Sequence, residues 1–275
     1  MELSAERPLL LVGAGNMGGA LLGGWLNGSV APAAIKIVDP QPSAEAARLA
    51  GENAMQIFSK LEHAITPQVI VFAVKPQMLD ETLRALASRI SEETLILSVV
   101  AGRTLAFFHA VLGPRAAIVR AMPNMAASVG AGITAAYGNK NVDAAQRHLA
   151  TRLLEAVGEV VWLVKEDDID AATAVSGSGP AYVFYLVECL AQAGIAEGLN
   201  EGIARRLARA TVTGAGALLA QKKDEPRVLR EAVTSPGGTT AAALKVLMGE
   251  GTSGLASLLA GAVKAARKRA RELAG

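Results

Sequence analysis

Five short runs, residues 8–12, 35–39, 69–74, 94–99 and 116–121, are nearly continuous in apolar side chains and rich in Val, Ile and Leu. Helical stretches at 17–27, 43–50, 77–89 and 104–111 separate them. A strand that shows no apolar–polar alternation is buried on both faces, as in a parallel sheet covered by helices. Strand–helix repetition at this spacing therefore predicts a doubly wound α/β sheet. Two further strand candidates, 129–136 and 159–164, flank a helix near 143–156. Beyond residue 165 the strand signal stops, and long Ala- and Leu-rich stretches at 181–196, 201–221, 228–234, 240–249 and 253–273 read as helices by length and propensity. The expected partition is a sheet domain over 1–165 and an all-α domain over 166–275. The helical part is rich in Ala and Gly, which lets helices approach closely. That suits an intertwined oligomer, with a tightly crossed monomeric bundle as the alternative.

Composition narrows the class. The 275 residues carry 27 Lys and Arg against 25 Asp and Glu, and 51% are apolar, which excludes a disordered chain. The one cysteine, Cys189, excludes a disulfide scaffold and suits a reducing compartment. It lies in an apolar helical stretch and reads as a core residue. The uncharged stretch 121–139 is interrupted by Pro123, Asn124 and three glycines, and 171–187 by Gly177, Gly179 and Pro180, so neither reads as a membrane span. The opening residues lack a basic leader, and a net charge of +2 gives no reason to expect nucleic acid. A cytoplasmic protein is expected. Lys264, Arg267, Lys268, Arg269 and Arg271 read as a solvated helix end that complements the helix dipole.

The first chemical signal is Gly13-Ala14-Gly15-Asn16-Met17-Gly18, a G-x-G-x-x-G run that follows an apolar strand and opens a helix. This is the context of a dinucleotide fingerprint in a Rossmann-like sheet. Gly13 makes the tight turn, Gly15 admits a pyrophosphate to the backbone, and Gly18 lets helix and strand pack. The helix start offers free N–H groups and positive partial charge to phosphates. Asp39 ends the second strand, 21 residues after Gly18. It can accept hydrogen bonds from the ribose hydroxyls of NADH and would repel the 2′-phosphate of NADPH; the alternative is a turn or capping aspartate. No Arg or Lys lies between Asp39 and Arg48. Lys75-Pro76 and the loop 99–102 follow the next two strands, at the carboxyl edge where ligands bind in this fold class. Lys75 reads equally as a solvated strand-end lysine.

Two more Gly-rich loops open helices in the second part: Val175-Ser176-Gly177-Ser178-Gly179-Pro180 and Ser235-Pro236-Gly237-Gly238-Thr239-Thr240. Ser178 can cap its helix and Pro180 suits the first turn. Each loop presents N–H groups and hydroxyls with little bulk, which suits a small carboxylate, although ordinary capping would also produce them. Acid–base residues are scarce. His63, His109 and His148 lie away from these loops without metal-ligand spacing, and no metal site is expected. A hydroxy-acid dehydrogenase usually needs a general base. A nicotinamide enzyme without one suits a substrate that is already electrophilic, such as a protonated imine.

With these residues assembled, the chain resembles the pyrroline-5-carboxylate reductases over essentially its whole length. The resemblance rests on Gly13–Gly18, Ala73-Val74-Lys75-Pro76, Arg120-Ala121-Met122-Pro123-Asn124, the run 175–182 and the run 234–240, the last being the most family-specific. It implies a Rossmann domain followed by a helical dimerisation domain, a homodimer that in many members forms a ring of dimers, and reduction of 1-pyrroline-5-carboxylate to L-proline by NADPH or NADH. It also implies that Gly13, Ala14, Gly15, Asn16, Met17, Gly18, Val74, Lys75, Pro76 and Ala101 hold the cofactor, with Asn124 near cofactor and pocket. Ser235, Gly237, Gly238 and Thr239, with Ser178, would hold the substrate, and Thr240 would contact the ring nitrogen and assist its protonation. Met125 departs from the Thr usual after Pro-Asn, and Asp39 departs from the NADPH preference of many members. Two rival readings are a β-hydroxyacid dehydrogenase, whose catalytic lysine has no counterpart between Lys165 and Lys222, and a nucleotide-sensing module without turnover. A reductase of cyclic imines of another ring size is a third.

Overall fold

The computed structural model describes residues 2–60, 65–249 and 254–274. The chain first lays down β1 (Leu9–Val12), α1 (Asn16–Gly24), β2 (Ile35–Val38), α2 (Ala44–Glu52), β3 (Ile57–Phe58) and β4 (Val69–Phe72). It continues with α3 (Leu79–Leu86), β5 (Leu95–Ser98), α4 (Leu105–Leu112), β6 (Ala117–Met122), β7 (Gly132–Gly138), α5 (Ala144–Glu155) and β8 (Gly158–Trp162). The strands form one sheet in the order β3-β2-β1-β4-β5-β6-β7-β8. Pairing is parallel throughout except between β6 and β7, which run antiparallel, so the sheet is parallel-dominated rather than wholly parallel. The strand order reverses between β1 and β4, which makes the carboxyl ends of these two strands the topological switch point.

Strand alternation sends side chains to two buried layers. Leu9, Leu11, Ile37, Val71 and Leu97 pack under Leu21, Leu22, Trp25 and Leu153 on one face. Leu10, Ile70, Phe72 and Ile96 pack under Leu83 and Phe108 on the other. Both faces are covered, which is why these strands carry no polar alternation. The helical stretch expected over 17–27 stops at Gly24 and gives way to a wider turn, Trp25–Ser29, in which Gly28 has φ +122°. There the Trp25 Nε1–H donates to the Leu153 carbonyl at 2.8 Å and anchors the turn to α5. The strand expected from 129 begins instead at Gly132, because Met125–Val129 forms a 3-10 turn.

After β8 come α6 (Asp168–Ala172), α7 (Gly179–Ala196), α8 (Glu201–Gln221), α9 (Pro226–Ala232), α10 (Thr239–Leu247) and α11 (Leu255–Ala274). The chain divides into one compact unit of residues 1–177 with 267–275 and a second of 178–266. Sequence reading divides it at 165/166; α6 and the turn after it cluster with the sheet, as do the last turns of α11. In the second unit α7 and α8 pair through small residues: Ala191, Ala204 and Ala208 are buried, and Gly194 lies against Leu199 and Ala204. Much of its apolar surface stays open, including Phe184, Tyr185, Leu186, Ile203 and Leu207. Cys189 is exposed on this surface, not in a core as expected, because nothing among the described residues covers that face of α7.

Candidate active site

The turn after β1 shows what each glycine does. Gly13 has φ +95°, and a Cβ there would lie 2.7 Å from the Ala73 carbonyl carbon, so the turn is both left-handed and pressed against the loop after β4. A Cβ on Gly18 would come within 2.0 Å of the Gly13 carbonyl oxygen, so helix and strand touch there. Around Gly15 the space within 4 Å is open, and its backbone is extended before the first N–H groups of α1. That is an open cradle of unpaired helix-start donors, and it fits a dinucleotide pyrophosphate. Asn16 is exposed beside it, and Met17 is half-buried.

Asp39 sits at the end of β2. One carboxylate oxygen accepts from the Ala14 N–H at 2.5 Å and the other from the Gln41 N–H at 2.7 Å. It therefore fastens the glycine turn and makes its own Asx turn. A carboxylate has about four acceptor sites, so two remain for ribose hydroxyls. The next cation along the chain, Arg48, is held by Glu45 at 2.6 Å and by Glu52 at 2.6 Å. Its hydrogen bond holds the Glu45 carboxyl below the usual carboxylate range. The other expected cofactor residues end neighbouring strands in the same unit. Lys75 is exposed and Val74 and Pro76 are half-buried, at the start of the 3-10 turn Pro76–Met78. Ala101 is exposed in the β5–α4 loop. Asn124 accepts from the Ile133 N–H at 3.3 Å through Oδ1, tying the turn after β6 to β7. A cavity of about 830 Å³ opens beside Asn16 and Met17, with Ser43, Arg48, Met125 and Ser128 in its wall.

The remaining expected residues belong to the second unit. Gly237 has φ +73°, and the Gly238 N–H donates to the Ser235 carbonyl at 3.0 Å, closing the turn before α10. A Cβ on Gly238 would lie 2.6 Å from Ser235 Oγ, so the hydroxyl lies directly over this glycine. Thr239 and Thr240 form the first turn of α10, whose N–H groups have no intrahelical acceptor. Ser178 precedes α7, but its side chain makes no capping bond, because its backbone is already helical on leaving the turn Thr173–Gly177. Of the histidines, His109 faces Asn139 at 3.1 Å, His148 is exposed, and His63 falls outside the described residues. Among the described residues no group of His, Cys, Asp and Glu could hold a metal ion.

Sequence reasoning missed Glu166. It accepts from Arg120 and from the Leu105 N–H at the start of α4. Its partners lie 46 and 61 residues away, so no local spacing marks it.

Comparison with known proteins separates the two parts and then joins them. Residues 9–102 match the model described as NADP oxidoreductase, coenzyme F420-dependent, and 166–273 match pyrroline-5-carboxylate reductase dimerisation. Over 97% of its length the chain is 41% identical to the pyrroline-5-carboxylate reductase of Pseudomonas aeruginosa, of which it covers 96%. The chain belongs to the pyrroline-5-carboxylate reductase family. The solved reductase of Coxiella burnetii superposes with a TM-score of 0.90 at 33% identity, covering 98% of this chain and 99% of that one. A Plasmodium falciparum pyrroline carboxylate reductase with NADP bound gives 0.81 at 26%, covering 99% and 100%. Membership in this family sets aside the β-hydroxyacid dehydrogenase reading, and the family's dimerisation domain marks the chain as an oligomer-former. Among the described residues no helix is long and apolar enough to cross a membrane.

Proposed function

We propose that the chain reduces 1-pyrroline-5-carboxylate to L-proline with NAD(P)H, the last step of proline biosynthesis. The observation that carries this reading is that the likeness to the reductases runs through both units, including the loop Ser235–Thr240, which lies outside the nucleotide fold that many dehydrogenases share. When bound, the reduced nicotinamide supplies the hydride that adds to C5 of the imine, while the ring nitrogen takes the displaced electron pair and holds the proton. Gly13–Gly18, Val74, Lys75, Pro76, Ala101 and Asn124 bind and orient the coenzyme. The first-turn N–H groups of α10 and the Ser235 hydroxyl hold the substrate carboxylate, with Gly237 and Gly238 keeping the approach clear and Ser178 adding a hydroxyl. The Thr240 hydroxyl donates to the ring nitrogen while that is unprotonated and accepts from its N–H once it is protonated. Orientation of this kind supplies about 7–11 kcal/mol in favourable cases.

Three finer statements belong to the same reading. Asp39 makes NADH the preferred coenzyme, because it offers acceptors to ribose hydroxyls and repels a 2′-phosphate. The open apolar faces of α7 and α8 are covered by a second copy in a homodimer that assembles into a ring of dimers. The protein works in the cytoplasm. Steady-state kinetics with pyrroline-5-carboxylate, following loss of the reduced-nicotinamide absorbance with NADH and with NADPH, tests activity and preference together. Turnover with formation of L-proline is expected; no turnover with either coenzyme overturns the reading and leaves a nucleotide sensor.

A further inference from the structure

The loop between β5 and α4 carries Ala101, which the proposed reading places against the coenzyme, and it is tied down from several directions within the first unit. Glu166, just before α6, bridges two elements: one of its oxygens accepts both from the Arg120 guanidinium on β6 and from the Leu105 N–H, which is the first donor of α4, at 2.7 Å in the latter case. Arg120 is a side chain only 7% exposed, and Glu166 is its salt-bridge partner. The position of Glu166 is itself set by its own turn, since its carbonyl accepts from the Ile169 N–H at 3.0 Å. On the loop, Arg103 donates to the Pro76 carbonyl at 3.1 Å and lies over the Phe107 ring, linking the loop to the turn that follows β4. A Cβ on Gly102 would meet the Leu273 carbonyl oxygen at 2.9 Å, so the last turn of α11 abuts the loop. Three residues beyond the Leu105 donor, Phe108 is fully buried, so α4 itself cannot drift.

We propose that Glu166 is a positioning residue for the coenzyme: by holding Arg120 and the Leu105 N–H on one carboxylate, it sets the β5–α4 loop in the place that receives the nicotinamide half. This rests on the proposed reading only in taking Ala101 as a coenzyme contact. A carboxylate is suited to the task because it compensates the buried guanidinium while capping a helix start, where negative charge is favoured. Glutamine keeps an acceptor for the Leu105 N–H and loses the charge that Arg120 requires. Leu105→Pro deletes that N–H, at a first helical position that tolerates proline and after Thr104, whose extended backbone (φ −86°, ψ 164°) suits a residue before proline; it also removes a buried core leucine side chain, so Leu105→Ala, which keeps the N–H, is its control.

The test is a fluorescence titration of NADH and NADPH binding to the full-length wild type, Glu166→Gln, Leu105→Pro and the control Leu105→Ala in the absence of imino acid, with thermal melting and KM for pyrroline-5-carboxylate measured alongside. The expected result is a Kd for reduced coenzyme raised about 3- to 10-fold in Glu166→Gln relative to wild type and in Leu105→Pro relative to Leu105→Ala, with the KM for the imino acid unchanged. An unchanged coenzyme Kd accompanied by a lower Tm overturns the proposal and leaves Glu166 a purely structural group. A rise confined to the imino-acid KM overturns it too. Should Glu166→Gln not fold, Leu105→Pro against Leu105→Ala decides by the same readout. Coenzyme binding is read without turnover, so a protein that fails to reduce pyrroline-5-carboxylate would sink the proposed reaction while this comparison still stands.

Discussion

Replacing Asp39 by Asn separates two roles that one carboxylate fills. Both oxygens accept backbone N–H groups, from Ala14 at 2.5 Å and Gln41 at 2.7 Å. Asparagine has one oxygen, so its NH2 must face one of these donors; the Gln41 N–H is exposed and can turn to water, whereas the Ala14 N–H is part-buried, so the loss is about 1 kcal/mol, the low end for an unpaired donor. For a domain of this size, each kcal/mol corresponds to a fall of roughly 2–4 °C in Tm. The second effect is on coenzyme choice. A 2′-phosphate of charge about −1.5 at roughly 6 Å from the carboxylate is repelled by about 1 kcal/mol at the dielectric of water and about 4 at an effective value of 20. Asp39 is only half-buried, so the lower end governs, and Asn should raise the NADPH/NADH ratio of kcat/KM by about 5-fold. The assay is steady-state kinetics with both coenzymes at fixed ionic strength, with melting curves in parallel. A wild type that strongly prefers NADPH, or an unchanged ratio in the variant despite a lower Tm, would refute the electrostatic role and leave Asp39 as a turn aspartate.

Other perturbations test the rest of the site. Thr240→Ala should lower kcat/KM by about 10-fold, or about 1.4 kcal/mol, and unchanged kinetics would remove the hydroxyl from the mechanism. Gly18→Ala places a Cβ 2.0 Å from the Gly13 oxygen, so coenzyme affinity should fall and overpacking should cost about 1–3 kcal/mol of stability, seen as a lower Tm. Gly15→Ala meets open space instead, and titration should show weakened coenzyme binding at an unchanged Tm. Phe184→Glu, on the open face of α7, should shift the protein to a smaller species in size-exclusion chromatography; an unchanged elution volume would place the dimer contact elsewhere.

Local patterns carried much of this protein into its sequence. A strand covered on both faces is apolar at nearly every position, so β1, β2, β4, β5 and β6, interrupted only by Lys36, Ser98 and Arg120, are legible without any knowledge of their neighbours. The glycine turn is equally local: its left-handed φ at Gly13 and the contact between Gly18 and Gly13 arise within six consecutive residues. The short β3 at Ile57–Phe58 carried too few residues to show a period.

What the sequence by itself determined was the alternation of elements, the coenzyme turn and the onset of an all-helical region, because each depends on steric and hydrophobic demands between near neighbours. Tertiary structure alone decided the antiparallel β7, the engagement of Asp39 with Ala14, the exposure of Cys189 and the joining of Arg120, Leu105 and Glu166. Those outcomes depend on which distant groups the packed sheet brings within hydrogen-bond reach, and on which faces it leaves uncovered. Neither is encoded in the spacing of residues along the chain.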